Sequence, residues 1–509
     1  MSANEPQEPI SPGNSRLRAL MPWLVALVAA AHAATFLGYG PCDDDYIAYC
    51  YARNLVEGHG LVFNLGERVE GFSAPGWMLA AAGTIALGLH PAHFSIVVSV
   101  LSFAAIAFTI AVLWQRRRPQ DRFAAPAWLV AASPALAWHS ILGLGTVPLA
   151  ALVTFAIERW DQARRTGRVP VTACALLGVA ALLRNEAILF ALPLVWSELR
   201  ARRWLGPLLA FAPLAGWQAF RLAYFGRWVP ITYTVKKLDF FTDLRLGLEY
   251  LAESSAATGL VLALALGLVA LARRPRDEDP VLRSATLVST VFALYVVYVG
   301  GDFFPLGRFF VPILPLALLV GCLGFHGLFP QVRGLAAVGA VVLALGFEQV
   351  QQGLREHLYL THLGSEPRWE AMGREVARRV PPDTKVALAP IGCFKWASRL
   401  YVVDMLGLTN TAIAQAQPDP NITIKGHIRY DADWVLAQRP EMIVIGTGWF
   451  DVDEHGQREL KASSWEGTLL AHPKLASDYV ALELDIEGSY PLVFFWRRDV
   501  PWPQGARRT

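Results

Sequence analysis

Apolar residues in this chain gather in runs near the ~20 residues that a helix needs to cross a bilayer. The first runs from Leu20 to Leu37, behind Arg16 and Arg18. Others lie at about 93–114, 124–141, 146–161, 170–183, 186–199, 204–224, 256–272, 281–300, 309–328 and 334–350. Several are short and carry Pro or Gly, which neighbouring helices tolerate by satisfying the freed backbone groups. A signal peptide cleaved near Ala31-His32-Ala33 competes for the first run. Its length and the spans that follow favour a retained helix. Lys and Arg then orient the loops. With the N-terminus inside, the inner segments hold Arg16, Arg18, Arg116, Arg117, Arg118, Arg122, Arg159, Arg164, Arg165, Arg168, Arg200, Arg202, Arg203, Arg273, Arg274, Arg276, Arg283 and Arg333. The short outer loops hold only Arg184 and Arg308. Residues 74–90 are also apolar, but counting them as a span would turn Arg116–Arg118 outward. They are read as a helix lying at the outer interface, anchored by Trp77.

The pattern therefore predicts a polytopic α-helical membrane protein of about 11 spans. Residues 1–18 form a cytoplasmic N-terminus and 19–350 the transmembrane domain. The first outer loop is 39–92, and everything from 351 to 509 lies outside. The first outer loop is too long to be a simple connection. Its Tyr46, Tyr49 and Arg53 fall at i, i+3, i+7 and share one face of a short helix. Asp43, Asp44 and Asp45 sit at that helix's start, where carboxylates cap and favour the dipole. A second outer segment, 225–255, carries Tyr233, Lys236, Lys237, Asp239 and Arg245. Beyond 351 the apolar runs shorten to strand length at 385–389, 400–403, 442–445, 479–484 and 491–496. Helical stretches at 368–379 and 430–438 separate them, giving a small α/β domain.

Composition agrees. Hydrophobic residues make up 54% of 509 and charged residues 17%, against roughly 25% charged in soluble proteins. That excludes a disordered chain and an ordinary soluble enzyme. Five Cys exclude a disulfide scaffold or a Cys-cluster metal domain, and a net charge of +3 does not suit nucleic acid. Dinucleotide, phosphate-loop, zinc-protease and nucleophile-elbow motifs are missing.

Four polar clusters fall at the outer edge of the bundle. They are Asp43/Asp44, Arg184-Asn185-Glu186, Lys236/Lys237, and Asp302 with Arg308. One such charge usually anchors a helix end. Four on one side, of both signs, mark a site at the membrane surface. A carboxylate suits a general base acting on a hydroxyl, and Arg and Lys suit a phosphate. Transfer of a sugar from a polyprenyl phosphate uses both. Asp43 and Asp44 are the candidate catalytic pair. Arg308, Lys236, Lys237 and Arg184 are candidates for the donor phosphate. Asp302, Tyr46, Arg53, Glu186 and His139 are candidates for substrate contact. No metal or other cofactor is implied. A divalent cation at the acidic cluster has no supporting ligand spacing.

Certain segments resemble a known family. They are Asp43-Asp44-x-Tyr46-Ile47-x-Tyr49, Ala52-Arg53-Asn54-Leu55, Gly58-x-Gly60-Leu61-Val62-Phe63-Asn64 and Gly66-Glu67-Arg68-Val69-Glu70-Gly71. Gly300-Gly301-Asp302-Phe303, Gly307-Arg308-Phe309 and Val403-Asp404-Met405-Leu406-Gly407-Leu408-Thr409 join them. Together they are similar to the GT-C glycosyltransferases, in the terminal β-(1→2)-arabinofuranosyltransferase-like branch. The resemblance implies a GT-C bundle in a bacterial inner membrane and a periplasmic C-terminal α/β domain. It implies a polyprenyl-phosphate sugar donor, a cell-envelope glycan acceptor, an inverted product and a catalytic base at Asp43 or Asp44. Relatives tend to carry Gly-Leu-Glu-Thr where this chain has Gly143-Leu144-Gly145-Thr146, and Arg-Pro-Asp where it has Arg184-Asn185-Glu186. These departures bear on the choice of donor and acceptor.

Other residues read more plainly. Cys42 and Cys50, eight residues apart on a helix, are about 12 Å apart and remain free thiols. His59, His90 and His93 are loop or interfacial histidines. Asp404 is a strand-end cap, and most of the seventeen Trp suit interfacial belts. Asn421-Ile422-Thr423 is a glycosylation sequon relevant only to a eukaryotic secretory route. Two competing functions are a transporter or flippase of lipid-linked sugars, and a non-catalytic scaffold. The first calls for inverted repeats or paired broken helices at the midplane, which the sequence does not show.

Overall fold

The computed structural model describes residues 12–509 apart from 122, 274–278, 330–364, 420, 421, 423, 447, 449, 453–457, 461, 463, 488 and 490. The eleventh expected span (334–350), Arg122, Arg274, Arg276, Arg333 and Asn421 lie outside the described residues.

Helices fill the apolar runs and also form between them. They are α1 (Pro12–Ala34), α2 (Asp43–Val56), α3 (Pro75–Ala86), α4 (Pro91–Arg117), α5 (Ala125–Ala131), α6 (Pro134–His139), α7 (Thr146–Arg165) and α8 (Val171–Leu183). Then come α9 (Leu192–Arg200), α10 (Leu205–Phe225), α11 (Ile231–Lys236), α12 (Phe240–Thr258), α13 (Leu260–Arg273), α14 (Pro280–Tyr298) and α15 (Leu314–Leu328). Local chemistry sets their ends. His90 and Pro91 start α4, Ser133 and Pro134 start α6, and Asp279 and Pro280 start α14, each with a capping side chain before a proline that needs no N–H partner. By length and composition α4 and α14 are each able to cross a membrane. The α12–α13 pair passes the same test jointly, bent by 88° at Gly259, whose φ is +69°. Among the described residues α1 from Arg18, α8 and α15 are shorter apolar helices.

The 225–255 segment, expected as a loop, is largely the helices α11 and α12. Asp239 starts α12 by accepting from the N–H groups of Phe241 and Thr242. An Arg245–Glu249 pair supports the exposed face. Caps and charge pairs build a helix without the apolar run that would have announced it.

The C-terminal domain holds a six-stranded sheet in the order β2-β1-β3-β7-β6-β8. Its strands are β1 (Lys385–Leu388), β2 (Tyr401–Asp404), β3 (Met442–Ile443), β6 (Tyr479–Leu484), β7 (Leu492–Arg497) and β8 (Arg507–Arg508). A separate pair is formed by β4 (Phe450–Val452) and β5 (Arg458–Leu460). β1 pairs in parallel with β2 and β3, and the rest of the sheet is antiparallel. Side chains alternate between two cores, as the pleat requires. Val386, Leu388, Val402, Phe494 and Trp496 face the first outer loop. Ala387, Val403, Ile443 and Tyr479 face the other layer. The first of these cores also contains Tyr46, Tyr49, Tyr51, Phe63 and Phe72. The 39–92 segment and the C-terminal domain therefore share one apolar interior, into which α2 packs.

Candidate active site

A cavity of about 600 Å³ opens between the helical bundle, the 39–92 segment and the C-terminal domain. Asp44 and Asp45 from α2, Arg184 and Glu186 before α9, Lys236 and Lys237 at the end of α11, and Arg308 all line it. The electrostatics confirm this proximity. Burial pushes Lys236 below the ordinary lysine range; Asp302 and Asp44 pull it up, and Arg308 and Arg184 push it further down. Residues from the three other polar clusters thus act on this one ammonium group.

The cations are held from behind. Arg308 pairs with Asp302 at 2.5 Å and lies over the rings of Phe304 and Phe309 at 4.1 and 5.2 Å. Burial alone would raise Asp302, yet Arg308 and Lys236 hold it below the usual carboxylate range. Arg184 pairs with Glu186 at 2.5 Å and shares the Phe309 ring at 4.2 Å. Two guanidinium planes fixed on one aromatic ring are pre-organised for an anion. Lys236 makes no hydrogen bond or ion pair with any described residue.

Adjacent acids on α2 have three different surroundings. Asp43 turns away from the cavity. It accepts from the backbone N–H groups of Gly392 (3.0 Å) and Cys393 (2.7 Å), at the start of a C-terminal-domain helix, Ile391–Ser398. Burial raises its carboxyl to about 6, partly offset by those two bonds. Asp44 faces the cavity, and its carboxylate forms no hydrogen bond or ion pair with a described residue. Asp45 is 2% exposed. The Tyr49 hydroxyl bridges it (2.7 Å) to the Ser95 hydroxyl (2.6 Å). Gly143 makes room for Asp45, since a Cβ there would stand 1.7 Å from its Oδ2.

Other expected contacts lie elsewhere. Tyr46, Tyr49 and Arg53 do share a face of α2, but that face meets Trp396 of the C-terminal domain. Arg53 stacks on the Trp396 ring at 4.6 Å and donates to its carbonyl at 2.7 Å. Tyr46 is 6.2 Å from the same ring, centre to centre. His139 does not line the cavity, and its Nε2 lies 3.2 Å from the carbonyl of Pro305, in the Arg308 loop. Trp77 is not an interfacial anchor. It is 6% exposed, donates from Nε1 to the Gly143 carbonyl at 2.6 Å, and lies against Gly145. Its ring occupies the space beside the position where relatives tend to carry Glu. Cys42 and Cys50 are buried free thiols.

Sequence reasoning missed Asp45, Asp243, Tyr295, Tyr298 and Lys425 as cavity residues. Asp45 was legible only as the third acid of a helix cap. Lys425 stands more than a hundred residues from any cluster, and only the fold brings it in.

Comparison with known proteins adds three findings. A family model described as a domain of unknown function (DUF8728) matches residues 355–494. The terminal beta-(1->2)-arabinofuranosyltransferase of Corynebacterium glutamicum is 29% identical over 323 residues, covering 55% of this chain and 47% of that protein. The protein of the same name from Mycobacterium tuberculosis is 28% identical over 330 residues, covering 55% and 52%. The chain spans about half the length of the curated relatives it matches. Crystal structures of ArnT from Cupriavidus metallidurans are similar from end to end. The apo form has a TM-score of 0.52 at 15% identity, covering 95% of this chain and 98% of ArnT. The form bound to undecaprenyl phosphate has a TM-score of 0.53 at 14% identity, covering 97% and 100%. That likeness shows the fold.

Proposed function

We propose that this chain, which has the GT-C fold, is an integral-membrane inverting glycosyltransferase. It moves a sugar, arabinofuranose in the branch it resembles, from a polyprenyl-phosphate donor to a hydroxyl of a cell-envelope glycan on the outer face. The observation that carries this reading is that Asp44 and Lys236, neither of which forms a hydrogen bond or ion pair with a described residue, line one cavity with Arg184 and Arg308. The names of the curated relatives and the lipid phosphate in the ArnT structure support the same class. About eleven spans, a cytoplasmic N-terminus and a periplasmic C-terminal domain belong to the proposal.

In this scheme Asp44 accepts the proton of the acceptor hydroxyl as its oxygen attacks the anomeric carbon. The new C–O bond forms as the bond to the phosphate oxygen breaks. The departing polyprenyl phosphate gains negative charge, which Arg308, Arg184 and Lys236 stabilise without rearranging. Lys237 stands at the rim. Asp302 and Glu186 hold the two arginines, and Asp45 packs behind the base.

The test uses purified protein with a polyprenyl-phosphoryl pentose and envelope glycan. Appearance of a glycosidic product, analysed by mass spectrometry with its anomeric configuration, is the expected result. Transport of the lipid-linked sugar across vesicles without product would replace this reading with a flippase.

A further inference from the structure

One short segment of the C-terminal domain reaches the wall of the cavity and touches α11, the start of α12, the end of α14 and the loop that follows it. The Lys425 ammonium pairs with Asp243 in the first turn of α12 and donates to the Val299 carbonyl at the end of α14. Lys425 is 5% exposed, and both it and Asp243 line the cavity. Gly300, at φ +80°, leaves the space for this ammonium, since a Cβ there would lie 2.2 Å from Nζ. The next residue, Gly426, lies against the Lys236 side chain, with Cε 3.6 Å from where its Cβ would be. His427 meets the Phe303 ring at 5.7 Å, beside Asp302. Arg429 donates to the Lys237 carbonyl at 3.0 Å.

A separate contact supports the same helix. Ile231 and Val235 of α11 pack with Ala414 and the partly buried Leu408 in a small apolar cluster of their own. Helix α11 has only six residues, joined to α12 by a short link. A helix that short is not stable by itself. Its position, and so that of Lys236, is set by what grips it.

We propose that residues Lys425–Arg429 are a positioning clamp for the donor-phosphate pocket, with Lys425 as its principal residue. The clamp rests on the functional reading above. It makes the C-terminal domain part of the lipid-phosphate site. Lys425 acts through Asp243 and the α11–α12 link and does not touch the reacting atoms. Because the Lys425–Asp243 pair is buried, removing one partner strands a charge, whereas removing both does not. A purely structural pair would therefore be rescued by the double replacement; a positioning pair would not.

Three full-length proteins decide the matter: wild type, Lys425→Met, and Lys425→Met combined with Asp243→Asn. Two quantities are measured in detergent. One is affinity for undecaprenyl phosphate without a sugar. The other is amide hydrogen exchange over residues 231–243. Thermal unfolding is followed in parallel. The expected result is roughly tenfold weaker binding and faster exchange in both variants, with unfolding restored to wild type in the double variant. Wild-type affinity or wild-type exchange in the double variant overturns the clamp. Neither readout needs turnover. A wild-type protein that binds the lipid phosphate but yields no glycosidic product refutes the transferase and leaves the clamp supported.

Discussion

Replacing Asp44 and Asp43 by asparagine, one at a time, separates chemistry from scaffold at adjacent positions. Asp44→Asn keeps the size of the side chain and removes the proton acceptor. Its carboxylate has no hydrogen bond or ion pair to lose among the described residues, so the fold has little reason to respond. A positioned general base contributes roughly 10²–10⁴-fold. Turnover should fall by that factor, which is about 3–5 kcal/mol of barrier. Asp43→Asn keeps an oxygen that accepts from Gly392 or Cys393. Its ionised form is expensive here, because burial holds its pKa at about 6 against an ordinary 3.8. A group raised in this way favours the folded state most when protonated. Its contribution is complete below about pH 4 and is lost as pH rises through 6, by about 3 kcal/mol at 1.36 kcal/mol per unit. Asparagine carries no charge and escapes that loss. Asp43→Asn should therefore stay within about 1.5 kcal/mol of wild type at pH 7, flatten the stability profile between pH 4 and 7, and keep turnover within about tenfold. The assay is initial-rate transfer beside thermal unfolding at pH 4 to 8. Turnover retained in Asp44→Asn, or lost a hundredfold in a folded Asp43→Asn, refutes the assignment.

Three further outcomes follow from the same geometry. Gly143→Ala should displace Asp45 and disturb α2, because its Cβ would overlap Oδ2 and its φ is +85°; a variant with wild-type turnover and unfolding would show that the loop yields freely. Burial lowers Lys395 to about 8 from 10.5, so the unfolded chain keeps a proton that the folded protein gives up between these values; unfolding temperature should climb from pH 8 to 10 relative to Lys395→Met, and matching profiles would contradict it. Glu70→Ala strands Arg221, 1% exposed, and frees the Trp217 indole; a loss of about 3–5 kcal/mol is expected, and unchanged thermal unfolding would place the pair in contact with water.

The ease of reading this chain varied with the range of the forces involved. Apolar runs and the arginines between them are local, so α4, α7, α8, α10, α14 and α15 stand on the expected runs. Short apolar runs are local too, and the five expected strands are β1, β2, β3, β6 and β7. Less visible were elements made by caps, such as α12, and the short strands β4, β5 and β8, whose charged residues leave no apolar run.

The site divides in the same way. That Tyr46, Tyr49 and Arg53 share a face follows from helical geometry. What that face meets does not, because Trp396 lies more than three hundred residues away and is as able as a sugar to stack under a guanidinium. The acidic triplet poses the sharper case. Successive residues on a helix point about 100° apart, so Asp43, Asp44 and Asp45 could not all serve one function. Asp43 meets the C-terminal domain, Asp44 lines the cavity without a described partner, and Asp45 reaches the cavity wall while bonded to Tyr49. Which did which depended on where the Ile391–Ser398 helix presents its free N–H groups. The cap that holds Asp43 thus leaves Asp44 on the cavity wall. The C-terminal domain thus holds α2 from one side through Asp43 and, through Lys425, the start of α12 from the other.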